Sequence, residues 1–399
     1  MTVSTVFEES LLQNGFYVPR FELTIENSGL PSDVLHDITQ ITYKDNIKEI
    51  DSFELVVNNW DAIQRAFKYV GAETSESLGG NSDTGVRHRL FEPCTKTIVI
   101  KLGYLDELVT MIRGFFTTME PNFPSTGVPT LNVRGMNVLH RLRKKQYTTS
   151  WENMTDSQIA ENLATLPDPQ SGQRRFPLPI RTDPHARGEE QPRPYVAQEN
   201  QYDLDFLLAL ARRNAYVVRV DPRRDGDELY FGPSEDSKMR AVEYRLGWGR
   251  SLVEFKPTLT TANQVKSVTV NGWNRRTRRA ISETVSVDDR EFRNNRNLTE
   301  LLMHCDPREE QVVHEPISTA AEAKRRARSI LLDRSREIVK ATGTTVGLPN
   351  LRAGVMVHIE NIGSRFSGRY FVTDTTHSMG QGGYTTRFSA RREDPEEES

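Results

Sequence analysis

The run from Thr319 to Phe388 constrains the fold most, because a capped helix there gives way to strands with glycine at every bend. Thr319 followed three residues on by Glu322 forms a capping box. Ala323, Ala327, Ile330, Leu331 and Ile338 recur at helical spacing, and Gly343 supplies a left-handed stop, so the pattern predicts a helix over 319–342. After Gly347-Leu348-Pro349-Asn350-Leu351-Arg352-Ala353-Gly354 the alternation changes to period two in Val355–Ile359. A turn falls at Ser367-Gly368, Tyr370 and Val372 resume the alternation, and Gly380–Gly383 bends the chain into a closing strand through Tyr384 and Phe388. Gly354, Gly368 and Gly383 stand where a left-handed or crowded backbone is expected, and Tyr370, Val372, Tyr384 and Phe388 should pack the sheet.

The same alternation runs through the N-terminal third. Arg20–Ile25, Ile50–Val57 and Thr97–Tyr104 read as half-buried antiparallel strands, and Arg113–Met119 with Thr130–Gly135 reads as a hairpin with a long tip. Between them, residues 61–97 form an insertion, part helix (Ile63, Ala66, Phe67, Val70) and part loop (Gly79-Gly80-Asn81-Ser82). Thr155 caps a short helix carrying Ile159, Ala160 and Leu163. From Pro167 to Pro194 the chain is rich in proline, arginine and glycine with no apolar period, which reads as an exposed insertion spanning 167–197. Asp203 then caps a helix with a Phe206, Leu207, Leu210 and Ala211 stripe, ended by Asn214. Tyr216–Val220 pairs with Leu229–Gly232 across a turn. Val265, Val268 and Val270 mark one more strand, running to Trp273, and residues 283–318 read as an irregular excursion.

These segments predict a mainly β chain with α+β insertions: two tube-like β-barrels, 1–145 and 251–392, around an α/β module at 146–250, then an acidic tail at 393–399. Charge selects no partner by itself, since 52 basic and 55 acidic residues leave a net charge of -3. Cys94 and Cys305 form no C-x-x-C pair and no disulfide framework. The N-terminus lacks the charged and apolar regions of a secretion signal, and no run approaches the roughly 20 apolar residues of a membrane span.

The order helix, G-x-P-x-L-R-A-G, strand, F-x-G-x-Y-x-V, His377, G-Y-x-T-x-F resembles the C-terminal part of the phage late control D family, the tail-hub proteins of contractile phages, and the hub portion of VgrG spikes. The helix before Tyr216 and the V-x-x-V-x-V-x-G-W strand ending at Trp273 are similar to the same family, with Tyr202 in place of a threonine and Asn214 in place of a glycine. The resemblance implies a non-enzymatic structural protein made in the bacterial cytoplasm and assembled into a tail baseplate, with no cofactor and no metal. It implies a homotrimer that adapts a hexameric tail tube to a separate trimeric spike protein, beside a LysM-type adaptor and baseplate wedge proteins. Gly354, Gly368, Tyr370, His377, Gly383, Tyr384, Phe388 and Trp273 then become structural or assembly residues rather than catalytic ones.

Two other classes, an enzyme and a nucleic-acid module, require residues that can be looked for in the sequence. A cell-wall-degrading or proteolytic enzyme needs paired carboxylates or a Cys/His pair. Asp83-Thr84-Gly85 copies an aspartic-protease triplet but follows Leu78-Gly79-Gly80-Asn81-Ser82 rather than an apolar strand. Asp221, Asp225 and Asp227 hint at a calcium loop, yet Arg223 and Gly232 occupy ligand positions, and His314-Glu315-Pro316 lacks the second histidine of a zinc motif. A nucleic-acid module would use Arg275-Arg276-Thr277-Arg278-Arg279 and Lys324-Arg325-Arg326 with Arg328, but no aromatic residues interleave as stacking platforms, so solvated faces or rim contacts are the simpler reading.

Overall fold

In the computed structural model, residues 18–47, 49–70, 89–104, 107–176, 178–223, 226–233, 244–275, 277–289, 308–313, 315 and 317–392 are described. Asp83, Arg276, Cys305, His314 and the acidic tail, all singled out in the sequence, lie outside them. The N-terminal part carries β1 (Arg20–Ile25), β2 (Ser28–Gly29), helix α1 (Ser32–Asp37), β3 (Ile38–Asn46) and β4 (Ser52–Asn58). Alternation sets the faces: Phe53, Leu55 and Val57 on β4 point into the core while their neighbours are half-exposed. The helix expected near Ile63 is instead a small hairpin, β5 (Trp60–Asp61) with β6 (Ala66–Phe67). Asp61 Oδ1 accepts the Ile63 and Gln64 N–H groups at 2.8 and 3.0 Å, and this local side-chain turn outcompetes a helix and leaves Ile63 95% exposed. Strands β7 (Thr97–Tyr104), β8 (Glu107–Asn122) and β9 (Thr130–Asn137) follow, the last two forming the long-tipped hairpin.

The middle part contains β10 (Gln146–Trp151), α2 (Asp156–Leu163), β11 (Ile180–Thr182), α3 (Pro184–Glu189), β12 (Val196–Tyr202), α4 (Asp203–Asn214), β13 (Tyr216–Arg223) and β14 (Gly226–Pro233). Thr155 and Gln158 form a full capping box at α2. The 167–197 insertion is not wholly exposed, as composition suggested. Phe176 and Leu178 are buried in the module core, β11 pairs with β14, and Arg175 lies 3.3 Å from the buried Asp203 carboxylate. A few anchor side chains suffice where no period exists. At α4, Tyr202 rather than Asp203 takes the N-cap position, and Ala215 rather than Asn214 is left-handed; Asn214 donates instead to Asp156 at 2.7 Å.

The C-terminal part comprises β15 (Tyr244–Gly247), β16 (Leu252–Leu259), β17 (Val265–Asn274), β18 (Arg279–Ser286), β19 (Arg308–Val312), α5 (Ala320–Ser335), β20 (Val339–Val346), β21 (Met356–Glu360), β22 (Gly368–Gly380) and β23 (Gly383–Arg392). Thr319 caps α5 and Ala323, Ala327 and Leu331 are buried, but the helix stops at Ser335, short of the expected 342. Val339–Val346 is a strand whose burial alternates. Gly343 sits inside it opposite Phe388, so the glycine answers a ring rather than ending a helix. The 283–318 excursion contains two strands, β19 and the end of β18, which flank β17 in a three-stranded sheet packed under α5.

The fold is mainly β. Its strands do not close into two barrels: among the described residues one 13-stranded sheet runs β16-β20-β23-β22-β3-β4-β9-β8-β7-β1-β2, with β15 and β21 attached to the side. The cause is the length of β22. Its first residues pair with β21 and its last ones, Asp374–Gly380, pair antiparallel with β3, so the C-terminal strands continue directly into the N-terminal ones. Alternation fixes which face a strand buries but not which strand lies beside it.

All three flagged glycines have positive φ: +88° at Gly354, +134° at Gly368 and +94° at Gly383. Space separates them. A Cβ on Gly383 would meet nothing within 4 Å, whereas one on Gly354 would lie 2.5 Å from Arg219 Nη1. Gly383→Val should therefore cost backbone strain alone, about 1–3 kcal/mol in urea unfolding. Gly354→Val should cost more than that.

Candidate functional site

Where β3 meets β22 a set of polar side chains is enclosed by the sheet. Tyr43 and Asp45 share the inward face of β3 with Ile41, and opposite them in register stand His377 and Thr375 of β22. The loop between β20 and β21 threads past: Leu348 and Leu351 bury themselves and thereby deliver Arg352 to the carboxylate. Arg352 Nε donates to Asp45 Oδ2 at 2.7 Å, Nη2 donates to the Met111 carbonyl at 3.0 Å and to the Tyr43 hydroxyl, and the guanidinium lies 4.7 Å from the Tyr43 ring centroid. Asp45 also accepts from the Ala353 N–H at 3.2 Å and from Thr375 Oγ1. A single arginine thus ties β3 to β8 at one point, and Asp45, which accepts from both Arg352 and Thr375, brings β22 into the same cluster with the hydrogen bonds a buried ion pair requires.

His377 is fully buried beside this pair. Its Nε2 donates to the Leu351 carbonyl at 3.0 Å, since a carbonyl can only accept. Nδ1 is then the acceptor, with Tyr384 Oη at 2.9 Å and Thr386 Oγ1 at 3.1 Å. Burial, joined by the Arg352 charge, holds the imidazole down to about 3 despite the Asp45 carboxylate nearby, so it is neutral. Asp51, on the β3–β4 turn, accepts from Asn137 Nδ2 at 2.8 Å and from the Asn46 N–H at 3.4 Å. Burial first, and the Asp45 charge second, push it up to about 7.

These two shifts act on stability in opposite directions. Between about 7 and the ordinary carboxylate value the folded chain holds a proton on Asp51 that the unfolded chain lacks, so acidification stabilises. Between the ordinary imidazole value and about 3 the unfolded chain binds a proton that buried His377 refuses, so acidification destabilises. The windows overlap, and the seam should be nearly insensitive to pH across them. Asp51→Asn should make stability fall as pH drops from 6.5, with a slope of up to ~1.4 kcal/mol per pH unit, and His377→Gln should make it rise. Urea midpoints at several pH values check both signs; parallel curves for all three proteins would show that neither group titrates as stated.

The middle part is tied to the seam by Arg113 of β8, 2.6 Å from the Asp227 carboxylate at the start of β14, and by Arg219 Nη1, which donates to the Gly354 carbonyl at 3.1 Å. Asp227, read from sequence against a calcium loop, therefore faces a guanidinium. Of the other residues flagged in the sequence, Tyr370, Val372 and Phe388 lie in the core, while Tyr384 and His377 join the seam. Trp273 does not: it is 54% exposed on β17 in the separate sheet. The basic stretch on α5 is partly committed, since Arg326 is held by Glu315 at 2.6 Å and donates to the Arg212 carbonyl at 3.1 Å. Arg352 is the arginine of the G-x-P-x-L-R-A-G motif, whereas Tyr43, Asp45 and Thr375 belong to no motif of the sequence. The available signal was parity, because Ile41, Tyr43 and Asp45 fall on one face of an alternating strand and place a carboxylate where an apolar residue belongs. Among the described residues no group of three or more His, Cys, Asp or Glu side chains could hold a metal ion.

The family model that matches the chain is that of the Alg8 N-terminal domain, over residues 81–381. Among curated proteins none matches. Among solved structures, the 43 kDa tail protein of prophage MuSo2 from Shewanella oneidensis is 15% identical. The alignment covers 95% of this chain and 100% of that one, with a TM-score of 0.65. A tail protein from Neisseria meningitidis is 14% identical over 94% and 97% of the two chains, with a TM-score of 0.64. An Escherichia coli protein described as a component of the type VI secretion system is 12% identical over 94% and 77%, with a TM-score of 0.52. At such identities the likeness is one of fold.

Proposed function

The chain belongs to the Alg8 N-terminal domain family, and we propose that it is a structural hub of the baseplate in a contractile phage tail or related injection system. The observation that carries this reading is the fold shared with a prophage tail protein over nearly the full length of both chains. The sequence resemblance to late control D hubs points the same way. In this role residues 1–145 and 251–392 contribute the two tube-like segments of each chain, three chains form a ring, and the ring joins a hexameric tube to a separate trimeric spike, with a LysM-type adaptor and wedge proteins around it. The work is mechanical rather than catalytic. Polar groups in the seam are spent on one another, which suits a joint that transmits load.

The test is location and dependence. Particles purified from a producing strain should contain the chain at the distal end of the tube by electron microscopy, and deletion of its gene should abolish complete particles. Complete, active particles formed without it would end this reading.

A further inference from the structure

The hairpin of β17 and β18 carries three unfavourable features that nothing among the described residues offsets. The first is an uncovered indole. Val268, Val270, Ile281 and Val285 turn inward to pack with Ala323 and Ala327 of α5, and alternation puts Thr269, Asn271 and Trp273 on the other face. There Trp273 is 54% exposed, and its cross-strand partner Ala280 is too small to cover it. The second is crowded charge: Arg275, Arg278 and Arg279 are all exposed at the tip, and none has a hydrogen-bond or ion-pair partner among the described residues. The third is the left-handed φ of Arg278, +52°, which a side chain of this kind adopts at a cost. The turn is nevertheless fixed, since Asn274 Oδ1 accepts the Thr277 N–H at 3.0 Å. Such features persist where a partner outside the chain compensates them.

We propose that this hairpin binds single-stranded nucleic acid, with Trp273 as the platform for one base and Arg275 and Arg278 on adjacent phosphates. The binding goes beyond the baseplate role and does not rest on it.

Charge and shape choose this occupant. A guanidinium fork matches a phosphate, and an exposed indole takes the flat face of a base whatever its identity. The bases of a duplex are already stacked on one another, so the ring selects single strands. In sequence Trp273 precedes the arginines rather than alternating with them. Paired with Ala280, one step below Asn274 and Arg279, it stands at the base of their turn. The face around it does not repel a polyanion: Thr269, Asn271, Ser282 and Thr284 are short and uncharged. Glu283 lies on the opposite face with Ile281 and Val285, and Glu309 stands beside Ser267 at the far end of β17. The carboxylates near the start of α5 are committed elsewhere, Glu315 to Arg326 at 2.6 Å and Glu322 to Arg193. Arg279, opposite Asn274, leaves its strand on the face away from Trp273, which makes it the internal control.

Fluorescence anisotropy of a labelled oligothymidylate of about 15 nucleotides, with the full chain at low ionic strength, is the test. Binding should weaken as salt rises, with a slope of about −1.4 in log K against log salt for two phosphates. Arg275→Gln or Arg278→Gln should each remove about half of that slope. Trp273→Ala should weaken binding about tenfold with the slope unchanged, and Trp273→Phe should restore most of the affinity. Arg279→Gln should bind like the wild type. Thermal melting of every variant should match the wild type, because each altered side chain is exposed. A duplex of equal length and polyglutamate should compete poorly. The proposal is overturned by absence of binding, by wild-type affinity in Trp273→Ala, or by a loss in Arg279→Gln as large as in Arg278→Gln. Equal competition by duplex or polyglutamate overturns it too, since that marks a patch attracting any polyanion. None of these outcomes touches the baseplate role, which the particles decide.

Discussion

Arg352→Met should bring the protein close to unfolding, with a loss of about 3–5 kcal/mol, because it leaves the Asp45 carboxylate enclosed without its counter-charge. The same change frees the Met111 carbonyl and the Tyr43 hydroxyl from their donor. Arg352→Lys keeps the charge but not the planar fork that reaches three acceptors at once, so it should fall between wild type and methionine. Removing both charges discriminates the cause. If the penalty comes from the stranded carboxylate, Asp45→Leu/Arg352→Met should be far less destabilised than the two single changes added together. Urea unfolding of the four proteins supplies the cycle, and simple additivity would mean that the pair is not the origin.

Phe388→Ala should cost a similar amount, about 3–5 kcal/mol, for a different reason: it empties a fully enclosed volume. The Phe388 ring lies over the Cα of Gly343 on the neighbouring strand, so near that a Cβ there would be 2.4 Å from Cζ, and the Phe255 ring centroid is 6.4 Å away. An aromatic ring covering a cross-strand glycine fills a gap that no smaller pair would. Since the φ of Gly343 is not in the left-handed range, it is the Phe388 ring, with Phe255 Cδ2 at 3.1 Å beside it, that excludes a side chain there. Adding Gly343→Val to Phe388→Ala should therefore recover part of the loss, whereas Gly343→Val alone should be strongly destabilising. Thermal melting of the three variants reads this directly.

Period-two alternation made the strands legible, and left-handed bends made Gly354, Gly368 and Gly383 legible, because both are local properties of the chain. The helix at 319–342 was overextended for a related reason. Val339, Ala341 and Gly343 satisfy a strand as readily as they end a helix, and only the partner β23 decides between them. The anchored 167–197 insertion escaped because two buried apolar residues and one ion pair leave no periodic trace. The seam was half visible. Arg352, His377 and Tyr384 lay in the recognisable C-terminal motif, but the partners of Arg352, Tyr43 and Asp45, lie over 300 residues away in sequence, and nothing local announces such a meeting.

That separation has a consequence on the ribosome. Strand β3 is among the first segments to emerge, yet one of its two neighbours, β22, lies near the C-terminal end of the described chain. At about 5–20 residues per second, many seconds of synthesis pass with one side of β3 open and with Asp45 lacking Arg352. Pairings this distant in sequence also close slowly. A chain cut short before Gly368 would keep its N-terminal strands exposed to any other strand nearby, so premature termination or stalled translation should yield aggregates rather than a half-built, soluble domain.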